Sequence, residues 1–264
     1  MIFHRLNIKG RGNWTKKKTT RLVALNPKDA TYIQLENHFQ DGWKHPKKPK
    51  PHVQAIFEIV LTEESLISYL RYRALVEISR VPRHANEQLL FHGTNQRCSL
   101  GDGKQRPRLC NIPECLLCSV LRNSFEVENC GKRHKFRRFG KGVYTTACSS
   151  KADDYFRGLP DAPFRTVLVN RVVVGNPLNR QHNDEELTEP PTGYHSVVGL
   201  PGGVLNYGET VVYTNDAIRP AYLIVYTVPG PRLELRHSDI KAADLKSSDL
   251  KSMISMLFKT PITS

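Results

Sequence analysis

The chain has 264 residues, 39% of them hydrophobic, and a formal net charge of +14 at pH 7. That apolar share is too high for a wholly disordered polymer, and the length suits one large domain with extensions and a substantial core. No apolar run approaches the roughly 18 residues of a membrane-spanning helix, so helical membrane proteins are excluded and a soluble chain is expected.

The positive charge is concentrated early: residues 1–52 hold twelve Lys or Arg against three Asp or Glu, an excess of +9. Lys16-Lys17-Lys18 and Lys47-Lys48-Pro49-Lys50 suit phosphate contacts with DNA or RNA, nuclear import, or a plainly solvated arm. The start, Met1-Ile2-Phe3-His4-Arg5, lacks a sustained apolar stretch, so a reducing nuclear and/or cytoplasmic compartment is expected. Residues 1–21 are expected to be a basic flexible arm. Over 22–39 the spacing of Tyr32, Leu35 and Phe39 predicts a packed helix. Residues 42–52, with three Pro and four Lys, predict a loop, and 53–61 a strand. Thr62 is then a helix cap with Glu63 and Glu64 in the first turn, and Ile67, Leu70, Ala74 and Ile78 are the expected buried face. Later β-branched and aromatic runs at 166–174, 209–213 and 221–228 predict strands. Residues 237–264 form an expected C-terminal helical tail with Leu250, Met253, Ile254 and Leu257 on one face.

Three short stretches carry chemistry. Taken singly, Phe91-His92-Gly93-Thr94 is a strand end, and the Glu of Gly208-Glu209-Thr210-Val211-Val212-Tyr213 is a solvated side chain. With Gly140-Lys141-Gly142-Val143-Tyr144 between them, their order points to a nicotinamide-dinucleotide site. Leu89-Leu90-Phe91-His92-Gly93-Thr94 resembles the opening motif of the poly(ADP-ribose) polymerase (PARP) catalytic domain. Gly142-Val143-Tyr144, Ser149-Ser150-Lys151 and Tyr155 are similar to that family's tyrosine strand and following helix. Tyr194-His195-Ser196-Val197-Val198-Gly199, with Pro201, Leu205, Glu209, Val211, Tyr213 and Pro220, resembles the tankyrase-like end of the domain.

The resemblance implies an α+β protein with the ADP-ribosyltransferase fold: two packed, mainly antiparallel sheets with flanking helices, here with a zinc-stabilised insertion. It implies a catalytic domain over 22–236 that takes NAD+ as substrate. His92, Tyr144 and Glu209 would form a His-Tyr-Glu triad. His92 would bind a hydroxyl of the adenosine ribose, and the Gly93 backbone would pair with the nicotinamide carboxamide, where a side chain would block approach. Tyr144 and Tyr155 would sandwich the nicotinamide ring. Glu209 would offset the positive charge that develops on the ribose as the glycosidic bond breaks. The family commonly places a Ser after the Lys of the Ser-Lys-Ser stretch, whose hydroxyl bonds the carboxamide; here Ala152 follows Lys151. Loss of one neutral hydrogen bond, about 0.5–1.5 kcal/mol, weakens orientation without abolishing binding, and Ser149 or Ser150 is the expected substitute.

Between His92 and Tyr144 lies a cysteine-rich insertion, 97–138, with ten Lys or Arg against four Asp or Glu. Cys98, Cys110, Cys115 and Cys118, the last two a Cys-x2-Cys pair, suit tetrahedral Zn2+, with Cys130 or His134 as replacement ligands and free or oxidised thiols as the other reading. A metal would replace the core that polar residues at 101–105 cannot build, and the basic face could attract nucleic acid or the dinucleotide's pyrophosphate.

The function expected is therefore NAD+-dependent transfer of ADP-ribose to a protein and/or nucleic-acid acceptor, with mono versus poly transfer open. The alternative is a catalytically silent, zinc-containing nucleic-acid- or NAD-binding module. A third reading, an RNA 2′-phosphotransferase that consumes NAD+, lacks the Tyr and Glu arrangement present here.

Overall fold

A computed structural model describes residues 19–102, 107–129, 137–159 and 162–229. The strands are β1 (Arg21–Ala24), β2 (His52–Val60), β3 (Glu87–His92), β4 (Val143–Thr145), β5 (Arg165–Val173), β6 (Pro177–Arg180), β7 (Ser196–Gly199), β8 (Glu209–Val212) and β9 (Ile218–Thr227). The helices are α1 (Ala30–Asp41), α2 (Glu63–Ile78), α3 (Leu116–Asn123) and α4 (Ser149–Asp154). One sheet has five strands in the order β1-β2-β9-β5-β3, all antiparallel; the other has four, β4-β8-β7-β6, with a parallel β6–β7 pair. The expected α+β architecture with two mainly antiparallel sheets is present.

The middle of the larger sheet explains why its strands are continuous apolar runs. Alternate residues of β5 face opposite layers. Val167 and Val169 join a cluster with Tyr32, Leu35 and Phe39 of α1, whereas Leu168 and Val172 join Leu117 and Leu121 of α3. With both faces covered, every position gains by being apolar, and the first nine residues of β9 are all buried. Pro220 is tolerated in that central strand because it lies at a register shift opposite Asn170 and beyond the β2 pairing, which ends at Glu58↔Tyr222.

Several expectations need correction. Residues 22–24 belong to β1, paired with β2, and the helix begins only at Ala30; Tyr32, Leu35 and Phe39 are nonetheless its buried face. Thr62 does cap α2, accepting from the Ser65 amide at 3.4 Å. The buried residues of that helix are Tyr69 and Val76, while Ile67, Ala74 and Ile78 are exposed. Tyr69 and its partly buried neighbours Leu70 and Tyr72 pack against Val173. The Tyr69 hydroxyl reaches Glu87 at 2.8 Å, so the amphipathic tyrosine sets the helix's rotation. The insertion does not lack a core. Leu100, Leu117, Leu121 and Phe125 join the main cluster, and a Cβ on Gly101 (φ +100°) would lie 2.9 Å from Val225 of β9. Of the expected arm 1–21, residues 1–18 lie outside the described residues, whereas Thr20 is buried and Arg21 opens β1; the expected tail 237–264, with Leu250, Met253, Ile254 and Leu257, also lies outside them, as do Cys130 and His134.

Candidate active site

The two sheets meet where Phe91 of β3 and Thr146, just after β4, exchange backbone hydrogen bonds of 2.8 and 3.0 Å. His92 closes β3, Tyr144 is the middle of β4, Glu209 opens β8 and Tyr155 follows α4, so the motif residues gather at this junction. The β4–β8 register pairs Tyr144 with Val211 and Thr145 with Thr210. Thr146 Oγ1 then donates to the Gly208 carbonyl at 2.7 Å, fixing the peptide before Glu209 against the junction.

Glu209 is 6% exposed. Its Oε1 lies 2.8 Å from Lys151 Nζ, which also donates to the Tyr207 carbonyl at 2.7 Å. Its Oε2 is buried and has no partner among the described residues. Burial pushes the Lys151 ammonium's pKa down, and the Glu209 charge opposes that shift. Burial, and then the same carboxylate, push the Tyr155 phenol up, so Tyr155 and Glu209 share one electrostatic field. A cleft of ≈ 160 Å³ is lined by both, together with Lys151, His45, Arg138 and Tyr207.

His92 and Tyr144 are not part of that lining; they are bonded to each other. His92 Nδ1 lies 2.8 Å from the Tyr144 carbonyl, and because a carbonyl only accepts, the proton sits on Nδ1 and leaves Nε2 as an acceptor in the neutral ring. Burial holds the imidazole's pKa below its ordinary value, with the Tyr144 carbonyl opposing. The Tyr144 hydroxyl donates to the Gly140 carbonyl (2.8 Å) and accepts from the Phe139 amide (2.9 Å), while its ring packs against the cluster of Phe139, Val197, Leu205 and Val211. Gly93 abuts α4 directly: a Cβ there would stand 1.8 Å from the Ala152 carbonyl oxygen and 3.2 Å from the Tyr155 Cβ.

The serines of α4 do not face the cleft. Ser150 Oγ is taken up by the Lys44 amide (2.9 Å), the His45 amide (3.1 Å) and His45 Nδ1 (2.7 Å), and Ser149 Oγ donates to the Phe39 carbonyl at 2.6 Å. Both are fully buried. The Ser150 hydroxyl, expected to help bind the dinucleotide, is engaged here in anchoring the 44–45 turn. Ala152 itself belongs to the aromatic cluster of Phe39 and Phe91.

Sequence reasoning missed Lys151, His45 and Tyr207. Lys151 carried a signal, since it stands four residues before Tyr155 and so on the same side of that turn. The His45 ring lies against that of Tyr207, centroids 4.3 Å apart and planes tilted by 39°, a pairing between distant segments that no local pattern announces.

The four insertion cysteines converge, with sulfur atoms all within 4.8 Å of one another and Cys98 3.7 Å from both Cys115 and Cys118. The separation is far longer than the ~2.05 Å of a disulfide and near the S···S edge of about 3.8 Å that a tetrahedron with Zn–S bonds of about 2.3 Å requires. The Arg97 amide donates to Cys115 Sγ (3.3 Å) and the Cys110 amide to Cys118 Sγ (3.4 Å), which favours thiolates. The neighbouring thiols of Cys118 and Cys98 push the Cys115 thiol pKa down, while hydrogen bonding to Cys115 pushes theirs up, that of Cys98 to about 12.

The family model described as "Poly(ADP-ribose) polymerase catalytic domain" matches residues 30–202, which include His92, Tyr144 and Tyr155 and stop just short of Glu209. The chain is 26% identical over 157 residues to "Protein mono-ADP-ribosyltransferase PARP4" of Mus musculus, covering 58% of the chain. It is 27% identical over 128 residues to the Homo sapiens protein of that name, covering 46%. The chain spans 7% of the length of each of these curated relatives.

Proposed function

The chain belongs to the poly(ADP-ribose) polymerase catalytic-domain family, and from that membership we propose that it is an NAD+-dependent ADP-ribosyltransferase. It breaks the nicotinamide–ribose bond and joins ADP-ribose to a macromolecular acceptor. The observation that supports this best is Glu209, which lines a cleft with Tyr155 and is a buried carboxylate whose Oε1 is neutralised by Lys151 and whose Oε2 has no partner among the described residues.

In this reading Tyr155 supplies a flat face for nicotinamide, the Gly93 backbone pairs with its carboxamide, and His92 Nε2 accepts a hydroxyl of the adenosine ribose. Tyr144 flanks the ring from β4. Glu209 Oε2 accepts a hydroxyl of the nicotinamide ribose, and its charge offsets the positive charge that grows as the C–N bond breaks. The bonding pair leaves with nicotinamide, which departs neutral. The acceptor's nucleophilic atom then bonds the same ribose carbon and loses a proton to Glu209 or water. Zn2+ is the structural metal we propose for Cys98, Cys110, Cys115 and Cys118. The relatives' name, protein mono-ADP-ribosyltransferase, supports transfer of one unit; the acceptor in this reading is a protein or a nucleic acid.

Incubation with NAD+ labelled in the adenylate, with separate protein, DNA and RNA acceptors, tests this reading. Label should pass to one acceptor class as a discrete band, with equimolar nicotinamide released. Glu209→Gln should keep the fold and much of the dinucleotide affinity but transfer roughly 10²–10³-fold more slowly. Dinucleotide or nucleic-acid binding without any nicotinamide release would favour the silent module instead.

A further inference from the structure

The cysteine cluster is built into the same loop that presents the dinucleotide residues. Beyond Gly93 the chain runs through Asn95, Gln96 and Arg97 to Cys98, and each step is bonded to one of two bodies. On one side, the Gln96 amide donates to the Arg157 carbonyl at 2.8 Å and Asn95 bridges Arg157, two residues after Tyr155. On the other, the Asn95 carbonyl accepts from the Leu117 amide (2.9 Å), inside α3 between Cys115 and Cys118, and the Arg97 amide donates to Cys115 Sγ. Gln96, 5% exposed, ties the loop to itself through the Cys98 (2.9 Å) and Leu100 (2.6 Å) carbonyls and accepts from Thr166 Oγ1 at 2.8 Å. Phe125, just past α3, stands edge-on to the His92 ring with centroids 5.1 Å apart.

One ligand, Cys98, thus belongs to the loop after His92, and the other three come from the α3 side. Among the described residues no disulfide ties Cys98 to the α3 side, and the four sulfur atoms are a further contact at which a soft divalent cation would make the two one body. We propose that a tetrathiolate Zn2+ at these cysteines braces the His92–Arg97 loop, so that dinucleotide binding is conditional on the metal. This rests on the dinucleotide reading of His92 and Gly93. Metal loss frees Cys98, releases the Asn95–Leu117 bond and loosens Phe125 against His92. Cys115 and Cys118 themselves belong to the main apolar cluster, but the strand ladders of both sheets do not run through them, so the sheets stay folded.

The test uses the whole chain, purified with Zn2+ and then stripped with a high-affinity chelator. Metal analysis should give about one zinc per chain, and Co2+ replacement should produce the thiolate charge-transfer band of a tetrahedral sulfur site. After stripping, far-UV circular dichroism should persist. Amide exchange should accelerate over 92–97 and 116–125 but not in β5 and β9. If about a tenth of the stripped molecules keep the competent loop, the apparent Kd for NAD+ rises about tenfold, and added Zn2+ restores both readouts. Cys98→Ser, at a half-buried position, should reproduce the stripped state. Absence of stoichiometric metal, unchanged exchange and affinity after stripping, or wholesale unfolding of the stripped chain would each overturn the brace. Zinc-loaded protein that binds no NAD+ but shows metal-dependent exchange over 92–97 would sink the dinucleotide reading and leave the brace standing.

Discussion

Lys151 Nζ and Glu209 Oε1 stand 2.8 Å apart, with only 11% and 7% of their side chains exposed. The pair spends one carboxylate oxygen on electrostatic compensation and leaves the other for a substrate hydroxyl. Replacing Lys151 with Met keeps the stem and removes the charge, leaving a buried carboxylate without its cation. Loss of one partner from a buried pair costs on the order of 3 kcal/mol. The expected outcome for Lys151→Met is a lower thermal midpoint and a fall in kcat larger than the change in KM. A melting curve and kcat that match the parent's would show that the ammonium does not serve Glu209.

His92 gives a pH dependence. Its folded-state pKa lies below the ordinary 6.5 because burial penalises the imidazolium. Between the folded and unfolded values the unfolded chain binds more protons than the folded one, so stability rises with pH through that window and is lost as pH falls below about 6.5. Protonation would also convert Nε2 from acceptor to donor, so NAD+ affinity should weaken only as pH falls through the lowered folded value, at the bottom of that window. His92→Asn, whose amide can donate to the Tyr144 carbonyl in place of Nδ1–H, should flatten this part of the stability–pH curve. Thermal melts at stepped pH for both proteins measure it.

Much of this was legible in the sequence where a residue's role is local or both faces of an element are buried. The runs at 166–174 and 221–228 show β5 and β9 because they are mostly β-branched and apolar, interrupted only by Thr166, Asn170, Arg171 and Thr227, and Thr62 announces its helix because its hydroxyl can accept from the Ser65 amide. Leu22 to Ala24 were illegible because their partner is β2, more than thirty residues on. The rotation of α2 was illegible because Tyr69 buries a ring while its hydroxyl pairs with Glu87. At the site, the motifs gave the positions of His92, Tyr155 and Glu209. The use of Ser150 by the Lys44 amide, 106 positions away, is a property of the folded chain alone.

Gly93 is required by its neighbour as well as by any ligand. Gly93→Ala would place a Cβ 1.8 Å from a backbone oxygen of α4, and because that atom is backbone the helix must shift. Overpacking costs about 1–3 kcal/mol or more, which for a chain of this size lowers the thermal midpoint by roughly 3–10 °C. Since Tyr155 ends α4, the same shift should weaken NAD+ binding. An alanine variant with the parent's melting curve would mean that α4 can retreat without strain.

Ala152→Ser tests whether the family's missing hydroxyl can be restored. Ala152 is 2% exposed and belongs to the apolar cluster that includes Phe39 and Phe91, and Ser149, three residues before it, bonds the Phe39 carbonyl. A hydroxyl introduced there is buried, and without a good partner it costs about 1–3 kcal/mol. The expected result is therefore a lower midpoint with nicotinamide-competitive affinity unchanged within about twofold, less than the factor of roughly five that one neutral hydrogen bond supplies. Were nicotinamide to bind fivefold tighter to the serine variant with no loss of stability, position 152 would face the cleft and the packing of α4 described above would be wrong. Isothermal titration with nicotinamide alongside thermal melts decides between the two, because core burial moves the melt and cleft exposure moves the affinity.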